Sequence, residues 1–440
     1  MTSPPPEVAR YLARRAVSGP WRIDHNDRED FRTVVVIPAL AESATLPGTL
    51  ATLACNPPER LSETLVLVVV NHRTDSAPAD KADNLRTLRM LTAGSETPPE
   101  LQLAWVNAAS GERELAEKDG GVGLARKIGF DLALSRLDYS RPNPLLVSLD
   151  ADTLVGPDYL DALRNHFHNA AAGGAVLPFC HRPGHDPAQE KAIARYELFL
   201  RAHVLGLQTA KSPYAFHTIG STMACRASAY VAAGGMNRRR AGEDFYFLQQ
   251  LAKTAGVVQV SGSVVHPSGR PSARTPFGTG RSVEAQLQEG AKAILFYPFA
   301  CYRLLGQWLR LVASHVESNE QRLTAMAFQL HEGLFEFLER ESFPTVWKRL
   351  VVNHPRPDGR LKAFHDWFDG LKTTRLIHHL CTSAWPRCHP EQALPPLLAA
   401  AGLKPTEDPR EQLSLLRRLQ GVEPERCADD FPARNVCLKG

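Results

Sequence analysis

The sequence predicts an α/β fold: a mostly parallel central sheet flanked by helices, with a C-terminal helical extension. Three observations carry this. Four runs, "TVVVIPA" (33–39), "TLVLVVVN" (64–71), "LQLAWVN" (101–107) and "PLLVSLDAD" (144–152), are apolar along most of their length. Strands buried on both faces of a parallel sheet need such runs, whereas half-exposed strands alternate. Segments with helical spacing separate the runs over the first 150 or so residues, and that alternation builds parallel sheets. From about residue 290 the pattern is mainly helical and repeatedly interrupted by proline.

Taken in order, the first 30 residues are proline-rich and then charged, and read as an arm with one short helix. Residues 46–54 and the leucines at 85, 88 and 91 mark helices after the first and second strands. "GLARKIGFDLAL" (123–134) puts Ala125, Ile128, Gly129, Leu132 and Ala133 on one helical face. After the fourth strand come "GGAVLPFC" (173–180) as a strand, 187–208 as a long helix, "FHTIGSTMACR" (216–226) as strand-like, 242–256 as a helix and "VVQVSGSVVHP" (257–267) as an alternating strand.

The chain has 440 residues, 43% of them hydrophobic, too many for one small domain. A net charge of +4 with a pI near 8.6 falls well short of a nucleic-acid-binding pattern and suits small anionic substrates. Eight dispersed cysteines and no CxxC read as a reduced, cytoplasmic protein. The first residues lack the apolar core of a secretory signal. No run of about 18 uncharged apolar residues predicts a transmembrane helix. Residues 293–312 come nearest, but contain Pro298, Arg303, Gln307 and Arg310; they read as a core helix, with a membrane-surface helix as the other reading.

Asp150 and Asp152 follow the fourth strand. Ligands of parallel sheets bind beyond the carboxyl ends of the strands. Two like charges so close are unfavourable unless something positive lies between them. Carboxylates at i and i+2 leaving a strand can converge on one hard cation, Mg²⁺ or Mn²⁺, which prefers oxygen and keeps places for phosphate oxygens. The plain alternative is a solvated turn. Glu243 and Asp244 open a helix, where the dipole alone accounts for acidic residues. His266 ends a strand, either as a metal ligand or bonded to backbone.

These motifs, in this order, resemble the family 2 glycosyltransferases with the GT-A (Rossmann-like) fold, over residues 32–285. "VVVIPALAES" is similar to the family's opening strand, with Pro38 and Glu42 kept and Ala41 in place of an asparagine. "VVVNHRTDSA" resembles the second strand and its turn, with Asn71 where a uridine-contacting aspartate is usual and Asp75 as the later aspartate. "GVGLARKIGFDLA" resembles the helix start near the nucleotide, bringing Arg126, with Lys127 for the usual asparagine. "LDADT" is similar to the metal and diphosphate motif, "GSTMACRASAYVAAGGM" to the acceptor-side strand and glycine turn, and "AGEDFYFLQQL" to the motif that supplies the base.

The resemblance implies an arm over 1–30, a catalytic GT-A domain over 31–285 and a helical extension over 286–440. It implies transfer of a sugar from a nucleotide-diphosphate-sugar donor to an acceptor hydroxyl, with inversion as the first reading and retention, found in some GT-A enzymes with similar motifs, as the other. Asp244 would be the general base beside Glu243. Asp150 and Asp152, with His266, would hold a divalent metal (Mn²⁺ or Mg²⁺). Pro38, Glu42, Asn71, Asp75, Arg126 and Asp150 would meet the donor. Arg270, Arg274 and Arg281 lie in a Pro/Gly-rich loop that would close over the diphosphate, or stay a solvated basic loop. His217, Gly220 and Ser221 would line the acceptor side, while Met223 and Cys225 pack. The acceptor is a saccharide, a small molecule or a lipid carrier. A nucleotidyltransferase would need a basic, glycine-rich loop after the first strand, and "PALAESATLPG" has one glycine and no lysine or arginine. A catalytically impaired binding or scaffold module remains as the other reading. "HHLCTSAWPRCH" (378–389) fits no closed zinc spacing.

Overall fold

The computed structural model describes residues 4–142, 144–272, 278–406 and 408–427. Arg274 and Cys437 lie outside them. Two compact units divide the chain: Met1–Gln189 with Thr218–Arg281 and Arg418–Gly440, and Glu190–His217 with Ser282–Arg417.

Among the described residues the first unit has nine strands: β1 (Thr33–Ala39), β2 (Thr64–Asn71), β3 (Gln102–Ala108), β4 (Leu145–Ser148), β5 (Leu154–Val155), β6 (Gly174–Val176), β7 (Met223–Arg226), β8 (Val257–Gln259) and β9 (Val265–His266). Seven form a mostly parallel central sheet in the order β3-β2-β1-β4-β7-β6-β8, and β5 with β9 forms a two-stranded sheet. β1 runs parallel to both β2 and β4, so their carboxyl ends share one rim. β7 is antiparallel to both of its neighbours.

The apolar runs are buried as expected: all eight residues of β2 and six of seven in β1. Pro38 is tolerated inside β1 because the β4 ladder ends at the Val36–Ser148 pair. Its missing N–H therefore removes no bond there. The later strands are shorter than their sequence pattern. In 216–226 only the last four residues are a strand, after a 3₁₀ turn at Gly220–Thr222. The run at 257–267 breaks at "SGS": its first part pairs with β6 and its last part with β5. An alternating pattern reports burial on one face, not which neighbour a strand finds.

The Val122–Ala133 helix is buried nearly all round, including Arg126, Lys127 and Asp131. Charges are buried only when paired. Asp131 is paired: Tyr11 donates to it at 2.8 Å, Tyr230 at 2.7 Å, the Val17 N–H at 2.8 Å, and Lys127 lies 2.9 Å away. Through Tyr11 the N-terminal helix Pro6–Arg14 is tied to the sheet-packing helix.

The second unit is helical. Trp308, Phe337, Phe343, Trp347 and Phe364 are at most 2% exposed in its core. Pro344, Pro357 and Pro390 stand in the first turns of their helices, where an absent N–H costs nothing. Buried Glu197 accepts from Arg201 at 2.8 Å and Arg417 at 2.7 Å. No helix among the described residues is long and apolar enough to cross a membrane.

Candidate active site

The turn after β4 begins as its backbone leaves the sheet. Leu149 N–H still donates to Val36 O at 3.1 Å, and Thr153 N–H then donates back to Asp150 O at 3.1 Å. Ala151 is buried, and its carbonyl accepts from Thr49 Oγ1 at 3.0 Å. With Ala151 pinned inward, the flanking carboxylates reach the rim: Asp150 is 35% and Asp152 21% exposed at the side chain.

Arg126, 3% exposed at its side chain, organises one half of the site. One terminal nitrogen pairs with Asp150 and the other with Glu243, while Nε donates to Ser148 Oγ at 3.0 Å. One guanidinium thus joins the fourth strand, the turn after it and the start of the Glu243–Thr254 helix. A planar cation with fixed donor directions suits this three-way role as lysine would not. Gly220 makes room for it: a Cβ there would lie 2.2 Å from an Arg126 nitrogen. Gly242, at φ +70°, lets the chain turn into the helix that carries Glu243 and Asp244.

Arg270 organises the other half. It pairs with Glu42 and lies 3.2 Å from Asp152 Oδ2. Glu42 also accepts from Thr45 Oγ1 at 2.5 Å. Arg182 donates to the Asp152 carbonyl at 2.9 Å, and its buried Nε has no hydrogen-bond partner among the described residues. Acidic and basic groups therefore interleave along one rim.

Burial dominates the acidities. It pushes the Asp152 carboxyl up to about 6, with Arg270 pulling it down and Glu42 and Asp150 pushing it up. Burial raises Glu243 and Asp244 together, opposed by Arg126. Asp244 Oδ1 accepts from the Phe245 N–H at 2.7 Å. Burial lowers Arg182, and Arg270 adds to this against Asp152.

Of the residues singled out in the sequence, Glu42, Arg126, Asp150, Asp152, Glu243 and Arg270 are joined by these ion pairs, with Asp244 beside them. The structure places the others as follows. Asn71 is buried and its amide donates to Ala39 O at 3.2 Å and Val69 O at 3.1 Å, stitching β2 to β1. Asp75 pairs with Arg73 at 2.9 Å. His266 is buried in β9, opposite Leu154 of β5. Ser221 is buried with Oγ lacking a hydrogen-bond partner among the described residues. Met223 and Cys225 pack in the core. Arg281 closes a segment of the first unit, and His217 is buried in the second.

Sequence reasoning missed Arg182. Its one signal was a basic residue just past an apolar strand, a weak one. It also missed Asn84, whose Oδ1 accepts from Ala41 N–H at 2.8 Å while Nδ2 donates to Asn71 O at 2.9 Å. That amide holds Ala41 at φ +53°, a conformation asparagine or glycine adopts more readily than alanine.

Among the described residues no group of three or more His, Cys, Asp and Glu side chains could hold a metal ion. Asp150 and Asp152, the two carboxylates the sequence suggests for a metal, both reach this rim and are side chains of the hard-oxygen type. This matches what Mg²⁺ and Mn²⁺ take from protein when phosphate oxygens and water complete the shell.

No family model and no curated protein matches the chain. Solved structures do. TarS from S. aureus (residues 1–349, in complex with UDP-GlcNAc) is 13% identical, over 79% of this chain and 90% of that one, at a TM-score of 0.38. The mannosyltransferase PcManGT from Pyrobaculum calidifontis, with GDP-Man and Mn²⁺, is 14% identical over 82% and 92%, at 0.35.

Proposed function

We propose that this chain is a nucleotide-sugar glycosyltransferase whose site is the rim just described. The observation that carries the reading is Arg126: it ties the segment at 150–152 to the segment at 243–244 on one guanidinium. Two acidic segments with different tasks, one for the donor diphosphate and one for the acceptor, then share a single rim. The order of motifs along residues 32–285 supports the same reading.

In the proposed reaction the acceptor oxygen attacks the anomeric carbon as that carbon's bond to the diphosphate oxygen breaks, with inversion. Asp244 takes the acceptor's hydroxyl proton as the new bond forms. Burial raises its pKa, opposed by Arg126, and a carboxylate with a raised pKa is the stronger base once ionised. Glu243 and Arg126 fix the helix start that presents Asp244. Arg270 and Arg182 supply positive charge for the diphosphate, and guanidinium pairs phosphate bidentately. Asp150 and Asp152 would hold Mn²⁺ or Mg²⁺, which supplies Lewis-acid charge for the leaving diphosphate. The acceptor is a saccharide, small molecule or lipid carrier.

A thermal-shift screen of uridine, guanosine, adenosine, cytidine and thymidine diphosphate sugars, with and without Mn²⁺, tests this. One base should stabilise the protein, less so in Asp152→Ala, and the stabilising donor should slowly release its nucleoside diphosphate. Stabilisation without release would identify a binding module. No stabilisation by any donor would remove the reading.

A further inference from the structure

Cys180 and Cys427 are separated by most of the chain, yet their sulfurs lie 3.0 Å apart. Cys180 is 1% exposed, and Cys427 is partly exposed. Both pack with buried Val264 and Val422 in a small apolar cluster. Backbone on both sides is held. Cys180 N–H donates to Val265 O at 2.9 Å, and Cys427 N–H to Pro424 O at 3.1 Å. The stretch leading to Cys427 is anchored three further times. Arg426 meets Asp158 at 2.6 Å and donates to Gly262 O at 2.7 Å, and Gln259 donates to Gln420 O at 3.0 Å.

Two sulfurs already in contact, on backbones fixed by other bonds, need only a side-chain adjustment of about 1 Å to reach disulfide bonding distance. A chance surface pair would have neither the burial nor the anchors. Among the described residues Cys301 and Cys381 form a second pair, at 3.9 Å, inside the helical unit.

We propose that Cys180 and Cys427 form a redox-sensitive disulfide that latches the segment 418–427 onto the strands of its unit. The oxidant is a peroxide. The Cys427 sulfur, the accessible one, attacks a peroxide oxygen as thiolate; the O–O bond breaks, water leaves and Cys427 becomes a sulfenic acid. The Cys180 sulfur then attacks it, the S–S bond forms, the S–O bond breaks and a second water leaves. Two thiols and one hydrogen peroxide give one disulfide and two waters, the sulfurs being oxidised and the peroxide reduced. The latch is close to the candidate site in sequence. Arg182, two residues past Cys180, donates to the Asp152 carbonyl, so the crosslink would stiffen the segment that delivers Arg182. The proposal does not depend on the glycosyltransferase reading.

The test uses the full chain, fully reduced, freed of reductant and titrated with hydrogen peroxide. Remaining thiols are alkylated under denaturing conditions, and non-reducing peptide mass spectrometry maps the linkages. A Cys180–Cys427 peptide pair should form at near-stoichiometric peroxide and vanish on reduction. Oxidation should also slow tryptic cleavage within 410–426 several-fold in wild type, but not in Cys427→Ser, whose exchanged side chain is partly exposed and should leave folding intact. Both thiols staying alkylatable while Cys301 and Cys381 oxidise would overturn the proposal. So would Cys427 linking to any other cysteine, or equal protection in Cys427→Ser.

Discussion

Asp152 Oδ2 lies 3.2 Å from a terminal nitrogen of Arg270, which joins the turn after β4 to the loop after β9. Burial lifts this carboxyl to about 6 while Arg270 opposes the lift. Its pKa in the fold is therefore above the ordinary carboxylate value. The stability it contributes is complete below that ordinary value and is lost as pH rises through about 6. Charge for a cation becomes available over the same rise. Mn²⁺ affinity, measured by calorimetry in the presence of the stabilising donor, should increase toward tenfold per unit below about pH 6 and level off above about 7. An affinity flat from pH 5 to 8 would exclude Asp152 as a ligand.

Asp152→Ala should abolish Mn²⁺-dependent donor binding in the same calorimetry, since one of the two carboxylates proposed to hold the metal is gone. Arg270→Ala should instead weaken donor binding at least tenfold, about 1.4 kcal/mol, with or without the metal. Equal losses from both variants would mean that the two residues act only as an ion pair.

Asp244→Asn should leave donor affinity within about twofold and reduce transfer by two to four orders of magnitude, the usual worth of a general base. Glu243→Gln frees one nitrogen of Arg126 and should lower stability as well as rate. Normal turnover in Asp244→Asn would clear that residue of the role.

Arg126→Met leaves Asp150 and Glu243 without their shared cation. Breaking buried pairs in this way costs about 3–5 kcal/mol, so the urea midpoint at pH 7 should fall sharply. Lowering the pH to about 5 should recover part of it, because Glu243 is already raised by burial and protonates readily. An unchanged midpoint would show that water or other groups satisfy both carboxylates.

Ala41 sits at φ +53°, where a side chain on an L-residue costs about 1–2 kcal/mol. Ala41→Gly should gain part of that back, and Ala41→Asn should as well, read as a higher urea midpoint. A loss of stability in both would mean the Ala41 methyl packs usefully enough to offset its backbone strain.

The chain's local chemistry determined much of this protein. The valine and leucine runs of β1, β2 and β4 announced strands buried on both faces, because short, β-branched apolar runs favour extended chain and only a sheet covered on both sides buries every residue of them. Asp150 and Asp152 were legible for the same reason: a buried strand must end, and polar residues at its end mark the rim. Tertiary structure alone decided who meets whom there. Periodicity reports which face of an element is buried, over a few turns at a time, and cannot report a guanidinium's partners far along the chain. Arg126 reaching Asp150 and Glu243, Arg182 meeting Asp152, and Asn84 holding Ala41 all depend on where loops return to the sheet. The division of 257–267 between two sheets has the same origin. In each case long-range geometry, rather than residue type, selects the contact.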